Sequence, residues 1–169
     1  MKLWIAQGFG AGWVPMAPGT VGSVVGLGWF FLLLLTHSWI WFVLGNVAAF
    51  ALSVWLCGEG EKALQKKDPG SIVLDEIAAM PGCFVIWMLA APLPLSSPDR
   101  HHRLGPSFFW QHGLATLIVF GLFRLFDTWK PWPVRQSQIL PGGWGVTVDD
   151  FLAAIYVNLV MCVALVVLG

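Results

Sequence analysis

The sequence predicts an all-α fold: a polytopic membrane helical bundle in a single domain that covers residues 1–169. Composition is the first reason, because 57% of the residues are hydrophobic, 11% are charged, and 11 are Trp and 12 are Phe. With a mean hydropathy of +0.76, the chain is too apolar for a soluble domain of this size. The second reason is that the apolar runs do not alternate as strands do, and open sheet edges cannot face lipid.

The first apolar run covers residues 24–57 and has only a weak break, the sequence THS at residues 36–38. It is longer than the roughly 20 residues that cross a bilayer once. We therefore expect two antiparallel helices, or a short re-entrant hairpin if each arm is too short to span. The N-terminal residues 1–10 contain a single Lys and no apolar core of signal-peptide length, so we expect no cleavage.

Three further apolar runs cover residues 77–95, 108–123 and 151–168, and each is about long enough for one crossing. Together with the hairpin they give about five apolar helical segments. The cysteines lie in apolar runs without metal or disulfide spacing, and we expect them to be small buried hydrophobes; they are Cys57, Cys83 and Cys162. We expect the histidines to be interfacial or structural; they are His37, His101, His102 and His112.

Counting the crossings places the polar segments on one side of the membrane. If the hairpin returns the chain to the side of residue 1, residues 58–76 and 124–150 lie there and residues 96–107 lie opposite. Seven of the nine basic residues are then on the first side: Lys2, Lys62, Lys66, Lys67, Arg124, Lys130 and Arg135. The positive-inside rule makes that side cytoplasmic. All acidic residues except Asp99 lie on the same side. The positive-inside rule does not predict this distribution, but a functional site on the cytoplasmic face does.

Each polar segment also has a structural interpretation. Asp75 and Glu76 precede the third run and Asp149 and Asp150 precede the last, where a carboxylate caps a helix and favours its dipole. A cap accounts for one carboxylate per helix, however, and not for two. The glycine-rich segment of residues 15–23 either lets backbone amides approach an anion or simply forms a turn and cap.

Arg124, Asp127 and Lys130 are spaced three residues apart before Pro131, which ends the helix. Asp127 therefore lies at a helix C-terminus, where the dipole disfavours an anion and a cation is needed nearby. The simple interpretation is an ion cluster of these three residues. The glycine turn at residues 141–145 is either a simple turn or a means of bringing the two ends of its own loop together.

Taken jointly, five carboxylates from three helix ends share one membrane face with two cations. Such carboxylates repel one another unless a cation joins them, and hard oxygen ligands without local Cys or His favour Mg²⁺. Mg²⁺ with Arg and Lys at helix ends is typical of sites that handle phosphate. The residues thus predict a Mg²⁺-dependent enzyme that acts on a phosphorylated compound at the cytoplasmic membrane surface.

Four segments carry a resemblance to a known family: PGTVGS at 18–23, GSIVLDE at 70–76, FRLFDTWKPWPVR at 123–135 and GGWGVTVDD at 142–150. In this order, over nearly the whole chain, the sequence resembles the phosphatidylglycerophosphatase A family. The resemblance implies an all-α, Mg²⁺-dependent enzyme that removes the terminal phosphate from phosphatidylglycerophosphate to give phosphatidylglycerol. It also implies a multi-pass protein of the bacterial inner membrane, with the active site facing the cytoplasm.

The resemblance implies roles for individual residues. The metal and catalytic set would be Asp75, Glu76, Asp127, Asp149 and Asp150. The phosphate-binding set would be Lys130, Arg124, Thr20 and Ser23. The partners would be the lipid substrate and membrane lipids but no nucleic acid, since the net charge is zero. The sequence leaves the oligomeric state open.

Two other functions would also account for charged groups at the surface of a membrane protein. A lipid phosphatase with a histidine nucleophile needs a His beside Arg and Lys motifs at the membrane surface, and the sequence has none. The second is a non-enzymatic protein, a transporter or structural membrane protein whose carboxylates bind a cation. A transporter places ionisable groups at mid-membrane, and the apolar runs contain none.

Overall fold

The computed structural model describes residues 1–90 and 105–168, and every regular element within these ranges is helical. This confirms the all-α prediction. The described α-helices are α1 (Lys2–Ala6), α2 (Pro18–Leu34), α3 (Trp39–Leu64), α4 (Leu74–Ala79), α5 (Val85–Ala90), α6 (Ser107–Gln111), α7 (Gly113–Trp129), α8 (Val134–Ser137) and α9 (Gly143–Leu168). Two 3-10 segments, Gly8–Trp13 and Met80–Phe84, complete the regular structure of these ranges.

The first apolar run forms two helices, as predicted, with the break between Leu34 and Trp39. His37 lies in this break with a positive φ of 50°. Within residues 1–90 and 105–168, two helices are long and apolar enough to cross a membrane, Trp39–Leu64 and Gly143–Val167. At 17 residues α2 is shorter than the roughly 20 needed for a full crossing. The complete set of five crossings stays a prediction.

The third apolar run is divided rather than continuous. It comprises α4, the 3-10 segment and α5, and its part beyond residue 90 lies outside the described residues. Pro81 cannot donate a backbone hydrogen bond and interrupts the helix. Asn158 on α9 compensates for the interruption: its Nδ2 donates to the Gly82 carbonyl at 2.8 Å and its Oδ1 accepts from the Ile86 N–H at 2.8 Å.

The last two runs differ from their predicted bounds. A break at His112 separates α6 from α7, and α7 continues to Trp129. α9 begins at Gly143, so Asp149 and Asp150 lie inside this helix instead of preceding it. Capping as their explanation is therefore wrong. It follows that the last membrane-length helix does contain ionisable groups, near its beginning.

The main core lies where α2, α7 and α9 surround the divided third run. Phe30 stacks on Phe84 with ring centroids 4.4 Å apart, and Phe123 and Val157 are fully buried around them. α4 packs against α2, α3 and α9. Its approach to α2 requires glycine, because a Cβ at Gly26 would lie 3.2 Å from the Glu76 carbonyl oxygen and 2.6 Å from the Cβ of Met80, which directly follows α4. This packing determines where the first turn of α4 lies.

Many large apolar side chains are exposed on the outside of the bundle, as expected of a surface in contact with lipid. Among the cysteines, Cys57 and Cys83 are buried as predicted. The prediction is wrong for Cys162, which lies on an exposed part of α9. A small thiol behaves as a weak hydrophobe, so it is compatible with an apolar outer surface as well as with a core.

Candidate active site

A polar cavity of about 320 Å³ lies where the beginnings of α2, α4 and α9 meet the end of α7. It brings together all five carboxylates predicted from the sequence and both predicted cations. Its charged lining residues are Asp68, Asp75, Glu76, Arg124, Asp127, Lys130, Asp149 and Asp150. Six carboxylates against two cations give the lining an excess of acidic groups.

α4 supplies Asp75 and Glu76 from its first turn. The segment before it is held by the Val73 N–H, which donates to the Ala6 carbonyl at 3.0 Å. Burial holds the pKa of Asp75 well above its usual range, and the carboxylates of Glu76 and Asp149 add to this increase. The environment of Asp75 therefore disfavours a negative charge unless a cation is present.

Arg124 connects α7 to both α2 and α4. Its Nη1 donates to Asp127 Oδ2 at 2.7 Å, to Glu76 Oε1 at 3.3 Å and to Ser23 Oγ at 3.4 Å. The contact with Asp127 follows from their spacing of three residues on one helix. Burial, together with the Asp127 carboxylate, raises the pKa of Glu76 to about 8 against the opposing effect of Arg124.

Lys130 is the C-terminal cap of α7 and has a left-handed φ of 48°. Its Nζ lies 2.6 Å from Asp149 Oδ2 and 3.8 Å from Asp68 Oδ2. The interpretation as an Arg124–Asp127–Lys130 cluster is therefore wrong for Lys130, which pairs across to α9. Burial lowers the pKa of Lys130, but these carboxylates outweigh it and the net pKa is raised, so the ammonium stays charged.

The glycine-rich beginning of α2 makes room for the acidic pair rather than presenting hydroxyls to the cavity. A Cβ at Gly19 would lie 2.0 Å from Glu76 Oε1 and 3.0 Å from Arg124 Nη2. Thr20 is half-buried and is outside the set of lining residues. Ser23 is fully buried; it donates to the Gly19 carbonyl at 2.8 Å and accepts from Arg124. It supports Arg124 without lining the cavity.

Two polar residues of the site were missed by the sequence analysis, Asp68 and Gln138. Gln138 Nε2 donates to Asp68 Oδ2 and to Asp149 Oδ2, each at 2.9 Å. Asp68 precedes a Pro-Gly turn on the predicted cytoplasmic side, and that position could have drawn attention to it. Gln138 carries no sequence signal, because only folding brings it beside residues of α9 and of the loop after α3.

The donor chemistry of the cavity fits a divalent cation. Glu76 Oε2 and Asp150 Oδ2 are buried and have no hydrogen-bond partner. All the acidic donors are hard oxygens, the ligands that Mg²⁺ prefers. Within residues 1–90 and 105–168, no three Asp, Glu, His or Cys side chains already converge as a metal-binding group. The carboxylates would therefore have to turn toward a common point to hold the ion.

Comparison with known proteins gives the family. The profile of phosphatidylglycerophosphatase A matches residues 4–165 of the chain. The chain belongs to this family. Phosphatidylglycerophosphatase A of Escherichia coli (strain K12) is 31% identical over 152 residues, which cover 89% of this chain and 76% of that protein. Phosphatidylglycerophosphatase A of Haemophilus influenzae (strain Rd) is 38% identical over 160 residues, which cover 93% and 84% respectively.

A third relative has a different name. A Bacteroides thetaiotaomicron protein, named provisionally as a phosphatidylinositol-3-phosphatase, is 33% identical over 174 residues, which cover 100% of this chain and 96% of that protein. No solved structure matches the chain at a significant level. In this member of the phosphatidylglycerophosphatase A family, the segments 18–23, 70–76, 123–135 and 142–150 all contribute residues to the polar cavity. The resemblance and the geometry therefore concern the same residues.

Proposed function

We propose that the protein hydrolyses the terminal phosphate monoester of phosphatidylglycerophosphate and releases phosphatidylglycerol and inorganic phosphate. Membership of the family, and the names of the Escherichia coli and Haemophilus influenzae relatives, support a phosphatase of this kind. The observation that carries the proposal is the polar cavity, in which Lys130 and Arg124 lie among carboxylates from three helices. Cations beside acidic oxygen ligands are what stabilise a reacting phosphate group.

Lys130 and Arg124 are the groups proposed to bind phosphate oxygens. In the structure both cations pair with carboxylates, Lys130 with Asp149 and Arg124 with Asp127. A phosphate group offers the same kind of charge-assisted hydrogen bond and competes with these partners. Trp129 and Trp132 flank Lys130 and are exposed, and aromatic rings of this kind favour the depth of lipid headgroups. Lys130 is thus placed to meet a phosphate on a lipid headgroup.

Mg²⁺ is the proposed cofactor, and the proposed ligands are Asp75, Glu76, Asp127, Asp149 and Asp150. When bound, Mg²⁺ neutralises phosphate oxygens and allows the clustered carboxylates to ionise together. The partnerless oxygens of Glu76 and Asp150 support this assignment. Without a cation, Glu76 with its pKa of about 8 holds a proton at neutral pH. A carboxylate of the same group is proposed to orient the attacking water.

The proposed location is the bacterial inner membrane, with several crossings and the cavity facing the cytoplasm. The two helices of membrane length and the apolar outer surface support membrane association. The excess of basic residues on the side predicted to hold residue 1 supports the orientation. A cavity at this level lets the acyl chains of the substrate stay in the bilayer while its phosphate reaches Lys130.

Phosphate release by the purified protein in detergent micelles tests the proposal. We expect turnover of phosphatidylglycerophosphate with Mg²⁺, none after chelation, and a rate far above that for glycerol 3-phosphate. Asp127→Asn should lower turnover by at least about 10²-fold, the usual loss when one group that stabilises the transition state is removed. Glu59→Gln is the matched control, because Glu59 pairs with Lys2 and Lys62 outside the cavity.

Four results would contradict parts of the proposal. No phosphate release from phosphatidylglycerophosphate would reject the substrate. Equal rates on the lipid and on glycerol 3-phosphate would reject recognition at the headgroup level. Faster turnover of phosphatidylinositol 3-phosphate would favour the activity for which the Bacteroides thetaiotaomicron relative is named. Full turnover in the presence of excess chelator would reject Mg²⁺.

A further inference from the structure

A second cavity, a groove of about 730 Å³, lies between α2 and α3. Its lining contains no charged side chain. Small residues make the space, notably Gly28 on α2 with Gly45 and Ala48 on α3, and Leu32 and Leu52 add apolar walls. α3 is one of the two helices in the described part of the chain that are long enough to span a membrane. The length of α3 and the exposed apolar side chains along it favour a position in the bilayer, so the groove is an apolar recess on a helix suited to face lipid.

The groove also reaches the back of the helix that carries the acidic pair. Leu74, Ile77 and Ala78 of α4 line the groove, whereas Asp75 and Glu76 of the same helix line the polar cavity. An α-helix with its side chains is only about 10 Å across. Whatever fills the groove thus supports α4 directly behind the proposed metal ligands.

A tight contact between α2 and residues 73–80, which contain α4, separates the groove from the polar cavity. A Cβ at Gly22 would lie 2.7 Å from the Val73 Cβ, and one at Gly26 would lie 2.6 Å from the Met80 Cβ. No residue lines both cavities. An acyl chain attached to a headgroup in the polar cavity would have to pass around this contact to reach the groove.

We propose that the groove binds one acyl chain of a bilayer phospholipid other than the substrate. The occupant is a hydrocarbon chain because the lining offers no charge, and its source is the bilayer because α3 is suited to face lipid. The bound chain fills the space behind α4 and supports the position of Asp75 and Glu76. Binding of this chain requires membrane embedding and does not depend on the phosphatase activity proposed above.

Gly28→Leu tests the proposal by filling the groove from within. A Cβ at Gly28 meets nothing within 4 Å, and Gly28 lines the groove, so the new side chain starts in open space at the groove wall. Gly121→Leu is the matched control, because Gly121 on α7 is equally open and lies outside the groove. The probe is phosphatidylcholine with a photoreactive acyl chain, in phosphatidylcholine vesicles that contain the purified full-length protein.

We expect crosslinks within residues 25–32 and 45–52 in the wild type and in Gly121→Leu, and a several-fold loss of them in Gly28→Leu. Equal labelling of the two variants would overturn the proposal. Gly28→Ala, with a smaller side chain, should give an intermediate loss, and it replaces Gly28→Leu if that variant fails to elute as a single folded species. Labelling requires no turnover, so its failure is distinguishable from failure of the proposed activity.

A kinetic comparison identifies the source of the chain. If a separate phospholipid occupies the groove, Gly28→Leu leaves unchanged the ratio of kcat/KM for long-chain over short-chain phosphatidylglycerophosphate. If the substrate's own chain occupies it, Gly28→Leu lowers kcat/KM for the long-chain lipid alone. The second result would overturn the proposal even if the labelling result were as expected.

Discussion

At the scale of single residues, the contacts among the charged groups of the site depend on a glycine, Gly19. Arg124 can bridge Asp127 and Glu76 only because Gly19 leaves the space that the Glu76 carboxylate occupies. The glycine is required here for close approach and not for an unusual backbone conformation, since Gly19 lies in the first turn of α2. A methyl group would enter the position of the Glu76 carboxylate.

We predict that Gly19→Ala lowers turnover by about 10²-fold, since small displacements of positioned groups cost about that much. The new Cβ would displace Glu76 and with it the partner of Arg124. Gly121→Ala is the control, because a Cβ there meets nothing within 4 Å. Phosphate release and melting temperature should be measured together. Equal activity of the two variants would show that the Glu76 position is not needed for turnover.

The raised pKa of Glu76 also predicts how the stability of the folded protein changes with pH. Its pKa is raised from 4.5 to about 8, first by burial and then by Asp127. Between these two values the folded protein holds a proton that the unfolded chain has lost. Without a divalent cation, the stability from this group is therefore full at pH below 4.5 and lost as pH rises to about 8.

We expect the melting temperature of chelator-treated protein in detergent to fall as pH rises from about 5 to about 8. Glu76→Gln, which cannot ionise, should flatten this fall. Mg²⁺ should stabilise the wild type more at the higher pH, because its carboxylate ligands must be deprotonated. A melting temperature that rises over this range, with the slope unchanged by the substitution, would contradict the assignment to Glu76.

At the scale of helices, the break at Pro81 is stabilised by a residue from another helix. Asn158 on α9 satisfies two backbone groups that follow Pro81, the Gly82 carbonyl in the 3-10 segment and the Ile86 N–H in α5. A buried backbone group without a partner is costly in an apolar environment. The 3-10 segment and α5 are therefore attached to α9 through Asn158.

We predict that Asn158→Leu lowers the free energy of unfolding by about 1–3 kcal/mol, the cost of leaving buried polar groups without partners. Asn46→Leu on α3 is the control. Asn46 bonds only within its own helix, to the Phe42 carbonyl, and its Oδ1 has no partner, so its replacement should be nearly neutral. Thermal or denaturant unfolding in detergent measures both, and equal losses would contradict the role of Asn158.

At the scale of the whole molecule, the site joins segments that are distant in sequence on one face of the bundle. The contact between Asp68 and Gln138 connects the loop after α3 with the turn after α8. These two segments therefore lie on the same side of any membrane that the helices cross. The break between α2 and α3 lies about 25 Å away along α2, at the opposite end of that helix.

We predict that Lys67→Cys and Ile139→Cys, in a Cys162→Ser background, react with a membrane-impermeant thiol reagent only from the cytoplasmic side. Thr36→Cys is the control, because it lies at the far end of α2 and should react from the other side if the hairpin spans. Labelling of intact cells and of inverted membrane vesicles distinguishes the two sides. Reaction of Lys67→Cys and Ile139→Cys from opposite sides would refute the shared face.

The sequence alone determined the helical class and the identity of the acidic and basic groups that meet. Apolar runs of membrane length exclude strands whatever their packing, since lipid cannot satisfy open backbone groups. The pairing of Arg124 with Asp127 also follows from sequence, because residues three apart share a helix face. These properties depend on composition and short-range spacing, which can be seen in the linear chain.

Only the tertiary structure decided which partners those groups take. Lys130 pairs with Asp149 on α9 rather than with Asp127, Gly19 makes room for Glu76, and Gln138 joins Asp68 to α9. The start of α9 at Gly143 likewise depends on packing, since a Cβ at that position would lie 1.9 Å from the Val54 carbonyl oxygen of α3. The physical reason is that these contacts are set by ångström-scale distances between helices far apart in the chain, and no local pattern records such distances.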